Sequence, residues 1–288
     1  MKLIILLLII LIIFIVNKSS LSNKSSLSNK LSLSELSSRL YNGDKLNGYR
    51  LADIIFYPDY LTRRHQYSTL EHLYSFPNTI GVQYIKEKYP FLNKIKSKQD
   101  FNKYNTEYLN FEKYINDNLK SINIDIKLLN KIIKEKNNNN DYGIIDNDTL
   151  YLHIRVGDVL CKYKNNNHSK TYSKKGDFHW WNQVINYINN NNINTVIIIA
   201  GTHFKECLEE SAEYINDCST FLQSYNLKIQ YRIGNSPDDD LIFCQNAKHF
   251  ITTGGGYGYF LGNIVQLNGG NFILNDDSGI KKGRKLFN

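Results

Sequence analysis

Short, wholly apolar runs alternate with helical patterns along the second half of the chain. The clearest run, residues 196–200, contains only valine, isoleucine and alanine. Such runs are typical of strands covered on both faces, and intervening helices favour parallel pairing. Strands are predicted at 150–155, 195–200, 228–232, 249–253 and 271–274, and helices at 180–190, 204–222, 238–246 and 258–267. The sequence therefore predicts an α/β fold with a Rossmann-type parallel sheet.

The chain begins with an apolar segment. Residues 3–16 are fourteen aliphatic or aromatic residues without interruption. As a helix this segment would be about 21 Å long, against a hydrocarbon core of roughly 30 Å. That length is typical of a secretory signal peptide or a short signal-anchor, so residues 1–16 are interpreted as one of the two, with membrane contact through 3–16. An anchored chain would lie on the lumenal face of the secretory pathway (Golgi or endoplasmic reticulum), and a cleaved one would be secreted.

Three further segments differ in composition. Residues 17–40 are rich in serine and contain a tandem repeat, so they are predicted to form a flexible stalk. Residues 41–140 show mostly helical patterning, for example at 122–133, and are predicted to form a mainly helical or degenerate α/β N-terminal domain. An asparagine-rich joint marks the boundary with the predicted C-terminal domain, residues 141–288.

The charge distribution bears on whether the protein binds nucleic acid, and the cysteines bear on its redox environment. The net charge is +8, but much of the excess lies near the chain ends, and no predicted helix carries a basic stripe with interleaved aromatic residues. Nucleic acid is therefore not predicted as a partner. The four cysteines lie in the half that would face an oxidising lumen, and none has zinc spacing. Their pairing is left open, although a Cys207–Cys218 bridge would require a break in the helix between them.

Polar, glycine-containing loops follow four of the predicted strands, at 155–158, 201–203, 234–236 and 254–256. Because ligands of parallel sheets bind beyond the carboxyl ends of the strands, we expect these loops to meet at one edge. Arg155 offers a permanently charged fork of donors that matches phosphate oxygens. Three successive glycines let backbone amides converge on an anion. The alternatives are a surface Arg–Asp pair for the first loop and a merely flexible turn for the glycines.

An acidic segment precedes one of the predicted helices. Ser236 is followed by proline and three aspartates, a composition typical of a helix N-terminus, where side-chain oxygens accept hydrogen bonds from free amides. The functional alternative is that Asp239 or Asp240 reaches a nucleobase or a ribose.

Two motifs in this half resemble those of the fucosyltransferase superfamily. The first is His-x-Arg-x-Gly-Asp, which begins at His153. The second begins at Ser236 and continues as Asp-Asp-Asp-Leu, Cys and Ala to Phe-Ile-Thr-Thr at 250–253. Together they resemble the α-1,2-fucosyltransferases and, more distantly, the α-1,6 and protein O-fucosyltransferases, over residues 150–261. The resemblance implies a GT-B fold, in which two Rossmann-like domains face each other and the C-terminal one holds GDP-fucose.

The resemblance also implies a role for each matching residue. Arg155 would bind the donor diphosphate and stabilise departing GDP, His153 would shape the donor pocket, and Asp240 would lie near the nucleoside. The phosphate-facing loop would consist of Gly254, Gly255 and Gly256, with Ser236, Asp239 and Thr253 as further donor-binding candidates. The implied reaction is an inverting transfer from GDP-fucose to a glycan or glycoprotein acceptor, without a metal cofactor.

The chain departs from the pattern of the α-1,2 enzymes in three places. It lacks their Gly-Asn-Gln segment, it has Gly254–Gly256 where serines are common, and Val156 stands where a second arginine is usual. These positions concern the identity of the donor more than the class of reaction. Another nucleotide-sugar transferase of the same architecture therefore remains an alternative. A second alternative is an anchored glycan-binding protein without catalytic activity.

Two residues are candidates for the catalytic base. The first candidate is Asp158, which follows Arg155 in the first motif. Arg155 and Asp158 are the predicted catalytic residues. An ion pair between them would make Asp158 a poor base. The second candidate is His179, since imidazole titrates near neutrality. Its alternative is an ordinary polar residue at a helix start.

Overall fold

The computed structural model describes residues 30–41, 73–104, 106–107, 109–110, 125–137, 143, 145–161, 181–202, 205–276 and 279–282. The predicted signal segment at 1–16 and the base candidate His179 lie outside these residues. Among the helices of the described ranges, none is both long and apolar enough to cross a membrane.

A six-stranded sheet forms the centre of the described structure. Its strands are β1 (Thr149–His153), β2 (Thr195–Ala200), β3 (Lys228–Ile233), β4 (His249–Thr252), β5 (Asn271–Asp276) and β6 (Gly279–Lys282), in the order β3-β2-β1-β4-β5-β6. The first five pair in parallel, and β6 pairs antiparallel to β5. The predicted α/β class and parallel sheet are therefore confirmed. The sequence patterns did not indicate β6.

Helices cover both faces of the sheet. They are α1 (Leu33–Leu40), α2 (Ile80–Lys88), α3 (Lys98–Lys103), α4 (Ile126–Lys136), α5 (Asn182–Asn190), α6 (Leu208–Gln223), α7 (Pro237–Cys244) and α8 (Gly256–Leu267), with 3-10 turns at Pro90–Lys94 and Asp158–Leu160. The helix predicted at 204–222 begins only at Leu208. Cys207 has a left-handed backbone with φ of 63°, which cannot continue a right-handed helix.

Side chains alternate between two hydrophobic cores along the central strands β1, β2, β4 and β5. In β1, Leu150 and Leu152 point into the core formed with α1, α5 and α6. Tyr151 points into the core formed with α2, α4, α7 and α8. Because successive strand residues face opposite sides, burial of both faces explains why β2 is apolar from Val196 to Ala200. The result is a three-layer α/β/α arrangement.

The predicted stalk at 17–40 is wrong for its C-terminal part, which belongs to the fold. Ser32 and Glu35 form a capping box at the start of α1, in which each side chain accepts a hydrogen bond from the other residue's backbone amide. Leu36 and Leu40 are completely buried against the sheet. The cap and the leucine spacing therefore outweigh the serine-rich composition.

The helices within the predicted N-terminal domain at 41–140 share a core with the sheet. Ile85 of α2 and Ile132 of α4 lie in the same cluster of buried side chains as Tyr151 and Phe250. The predicted boundary near residue 140 therefore does not separate two hydrophobic cores among the described residues.

Candidate functional site

The loops that follow β1 and β4 meet where the strand order of the sheet reverses. β1 lies between β2 and β4, so the connections that leave β1 and β4 diverge to opposite sides. In open parallel sheets this switch point forms a crevice at the carboxyl ends of the strands, where ligands bind. Arg155 follows β1 by two residues, and Gly254 follows β4 by two residues. Two of the four predicted loops are thus brought together at the crevice.

The side chain of Arg155 lies directly against Gly255. A Cβ atom at residue 255 would lie 2.8 Å from Arg155 Cδ and 3.6 Å from its Nε, which is too close for an unaltered side chain. Gly255 also has φ of +84°, a conformation that residues with a side chain rarely adopt. Glycine at this position therefore meets two requirements, the backbone conformation and the space for Arg155.

The N-terminus of α8 adds a second group that attracts anions. Gly255 is the N-cap of the helix, and the first intrahelical bond is donated by Tyr259 N to Gly255 O, at 3.1 Å. The amides of the first turn have no acceptor inside the helix and lie at the positive end of its dipole. Because Arg155 lies against Gly255, a guanidinium and these amides can contact one anion together.

Hydrogen bonds join the loop after β1 to the loop after β4. Arg155 N donates to Thr253 Oγ1 at 3.0 Å, and Thr253 N donates to His153 O at 3.0 Å. Gly254 N donates to Thr252 Oγ1 at 3.1 Å. Thr253 was predicted to offer its hydroxyl to a ligand, whereas its oxygen here accepts from the backbone of Arg155. The threonines therefore position Arg155 over the glycine loop.

His153 is buried beside the start of α8. Its Nδ1 lies 3.0 Å from Thr252 Oγ1, and a Cβ atom at Gly258 would lie only 2.6 Å from that nitrogen. Burial, assisted by the charge of Arg155, lowers the pKa of His153 from 6.5 to about 4. The imidazole is consequently neutral near pH 7 and adds no charge to the crevice.

The burial of His153 predicts that stability falls as the pH is lowered from about 6.5 to about 4. Over this range the unfolded chain binds a proton at residue 153 and the folded chain does not, so the loss approaches roughly 3 kcal/mol. His153→Asn should remove that part of the slope, because asparagine does not titrate. Urea unfolding of both proteins at several pH values measures the difference. Equal slopes in the two proteins would contradict the prediction. Burial also lowers the pKa of His249, but that residue is present in both proteins and does not affect the difference between them.

Asp158 forms the predicted contact with Arg155, but loosely. Its Oδ1 lies 3.6 Å from Arg155 Nη2, and both side chains are about half exposed, at 49% and 41%. An exposed pair at this distance contributes only about 0 to 1 kcal/mol. An incoming phosphate can therefore replace Asp158 as the partner of the guanidinium, which leaves the carboxylate available beside the crevice.

A disulfide and a serine anchor the loop that contains Arg155 and Asp158. Cys161 is bonded to Cys207, which precedes α6. Gly157 N donates to Ser211 Oγ at 3.0 Å, and the Ser211 hydroxyl donates to Cys207 O at 2.6 Å. The pairing that the sequence left open is thus Cys161–Cys207, while Cys218 and Cys244 are free and buried. The loop after β1 is held at both its turn and its end.

Loss of the disulfide should destabilise the fold. The bond joins cysteines 46 residues apart, and removal of such a link typically costs ~2–4 kcal/mol. The variant with Cys161→Ser and Cys207→Ser should therefore unfold at lower urea concentration than the oxidised protein. Reduced wild-type protein is the matched control and should behave like the variant. The expectation would be contradicted if the urea midpoint stayed the same in both the double serine variant and the reduced wild-type protein.

The acidic segment at the start of α7 is largely a helix cap. Ser236 Oγ accepts from Asp239 N at 3.1 Å, as the capping interpretation predicts. Asp240 is buried and accepts from Arg232 Nε at 2.8 Å. Asp240 therefore holds α7 on the sheet, and contact with a nucleoside would require this ion pair to open.

Several further aromatic and histidine residues of this half have structural positions or lie outside the described ranges. Trp181 is completely buried in a core, and His249 is held by Tyr187 and by Asn147 O. His179 and His203 lie outside the described residues. Sequence reasoning missed Ser211, Arg232 and Tyr257, since each acts through a partner distant along the chain. A left-handed residue before α6 and a buried arginine in a strand have no local sequence signature.

The described residues contain no group of three or more His, Cys, Asp or Glu side chains that could hold a metal ion. Comparisons of the chain with protein-family models, with curated proteins and with solved structures found no match. The geometry of the crevice and the two sequence motifs are therefore the basis for a functional proposal.

Proposed function

We propose that the protein is an inverting glycosyltransferase that transfers fucose from GDP-fucose to a glycan or glycoprotein acceptor. The observation that carries the proposal is the position of Arg155 against Gly255 at the switch point of a parallel sheet. A guanidinium and a helix N-terminus that converge on one place suit a diphosphate. The motif resemblance proposes fucose and guanosine as the rest of the donor.

In the proposed reaction, Arg155 and the first amides of α8 hold the diphosphate of the donor. An acceptor hydroxyl attacks the anomeric carbon from the side opposite the leaving group, and its proton passes to the Asp158 carboxylate. The bond between the anomeric carbon and the phosphate oxygen breaks, and its electron pair leaves with GDP. Negative charge grows on the diphosphate in the transition state, where fixed positive groups are most effective.

The same proposal covers architecture and location. The C-terminal sheet would be the donor-binding half of a GT-B enzyme, with the chain anchored through residues 3–16 on the lumenal face of the secretory pathway. A disulfide between Cys161 and Cys207 supports an oxidising compartment, because such bonds persist there. The proposal assigns charge stabilisation to Arg155 and α8, without a metal cofactor.

A thermal-shift screen with a turnover assay tests the proposal. GDP at about a hundred times its Kd should add roughly 2.7 kcal/mol to the stability of the full-length chain. GDP-fucose should then release GDP in the presence of a glycan mixture. Stabilisation by UDP but not by GDP would instead indicate another nucleotide-sugar transferase. Absence of any nucleotide effect would reject the transferase and leave the glycan-binding alternative.

A further inference from the structure

A cleft lies beside the crevice, between α7 and the segment that leads into α2. Its volume is about 390 Å³, comparable to the smaller ligand pockets of proteins. It is lined by residues 75–79, Lys136, Ser236, Pro237 and Asp238. Ser236 follows the carboxyl end of β3, so the cleft opens at the same edge of the sheet as the crevice.

Asp238 has one occupied oxygen and one unoccupied oxygen in the wall of this cleft. Its Oδ2 accepts from Lys136 Nζ at 2.7 Å and from Ile80 N at 3.0 Å. Its Oδ1 is buried and makes no hydrogen bond with the described residues. A buried acceptor without a donor is costly, at ~1–3 kcal/mol, so Asp238 gains that interaction if its carboxylate turns Oδ1 toward a donor in the cleft. Burial also raises the pKa of Asp238 although Lys136 opposes the shift, which shows how poorly this carboxylate is solvated.

The remaining groups of the cleft indicate what kind of ligand fits. Thr79, which lines the cleft, donates its hydroxyl proton to Phe76 O at 3.0 Å, so its oxygen can act only as an acceptor toward a ligand. The Lys136 ammonium has further protons beyond the one on Asp238. Phe76, Pro77 and Pro237 supply apolar surface. Acceptors, a cation and apolar rings together match a neutral sugar, whose hydroxyls both donate and accept and whose C–H faces pack on rings, whereas Asp238 repels an anion.

We propose that this cleft binds a neutral sugar unit of the acceptor glycan. The proposal rests on the transferase function, which requires an acceptor hydroxyl near the diphosphate. One side chain connects the two places: Tyr257 Oη donates to Pro237 O at 2.6 Å, and the Tyr257 ring meets the edge of His153 at 5.7 Å. Tyr257 thus contacts both a residue of the cleft wall and a residue beside the crevice.

Saturation-transfer NMR on the full chain, in a detergent without sugar groups, tests this site. The probes are the methyl glycosides of galactose, glucose, mannose and N-acetylglucosamine, with GDP present. At least one glycoside should give signals. Asp238→Asn should weaken that signal about tenfold, because an N–H replaces the free oxygen while the other oxygen still accepts from Ile80 N. Ser75→Trp, at an exposed position on the lip, should abolish it by filling the cleft.

The controls separate this proposal from the transferase proposal. Gln223→Trp, on the exposed end of α6, should change neither the binding of the glycoside nor the binding of GDP. Stabilisation by GDP should survive in Ser75→Trp, which also shows that this variant folds. If GDP binds but no glycoside does, the sugar site is overturned and the nucleotide site stands. If glycosides bind but GDP does not, the sugar site stands and the transferase proposal is rejected. If Ser75→Trp blocks GDP instead, the cleft belongs to the nucleotide and the sugar site is overturned.

Discussion

Arg155→Ala is expected to lower the release of GDP from GDP-fucose by about two to three orders of magnitude, the loss typical for a preorganised group that stabilises transition-state charge. The Arg155 side chain lies against Gly255, the N-cap of α8. Alanine removes the positive charge from the position where the diphosphate gains negative charge. The measurement is steady-state turnover at saturating donor.

Two controls sharpen that result. Arg155→Lys keeps the charge but loses the planar fork, so its turnover should fall between the other two proteins. Stability should change little in either variant, because Arg155 is 41% exposed and its ion pair with Asp158 is long. Turnover that survives Arg155→Ala at wild-type level would remove Arg155 from the mechanism.

Gly255→Ala is expected to reduce GDP affinity by tenfold or more, since misplacement of a binding group by about 1 Å can cost up to a hundredfold. The added methyl group would lie 2.8 Å from Arg155 Cδ and must displace that side chain. The backbone at 255 also has positive φ, so the substitution costs ~1 kcal/mol of stability in addition. Titration of GDP and urea unfolding measure the two effects separately.

Gly269→Ala provides the matched control for backbone strain. Gly269 has φ of +89°, close to that of Gly255, but a Cβ atom there meets nothing within 4 Å. Both alanine variants should therefore lose stability, and Gly255→Ala should lose more because of its ψ of 147° and its contact with Arg155. Only Gly255→Ala should lose GDP affinity. Equal affinities in the two variants would show that contact between Arg155 and Gly255 has no part in binding.

The sheet could be predicted from sequence because its signal is local. A buried parallel strand is apolar at every position, so β2 was predicted at its observed bounds, Thr195–Ala200. The convergence of the first and last predicted loops also followed from a general rule about carboxyl ends of strands. Arg155 and Gly255 were therefore expected near each other, and they are in contact in the structure.

Features that depend on distant partners could not be predicted. The choice of Cys161 as the partner of Cys207 requires the left-handed turn before α6, which no local pattern announces. Asp240 was assigned to the nucleoside from the motif resemblance, and only the fold shows that Arg232 is its partner. The stalk prediction failed for a different reason: the capping box of Ser32 and Glu35 and the spacing of Leu36 and Leu40 are local signals that the serine-rich composition masked.

Calorimetric titration of the full-length chain with GDP and with guanosine tests the central claim most directly. The claim is that Arg155 and the backbone amides that follow Gly254 bind a diphosphate. GDP should bind with measurable heat, and guanosine should bind at least tenfold more weakly, because each factor of ten requires only about 1.4 kcal/mol from the phosphate contacts. Equal affinity for the two ligands, or no binding of GDP, would contradict the account.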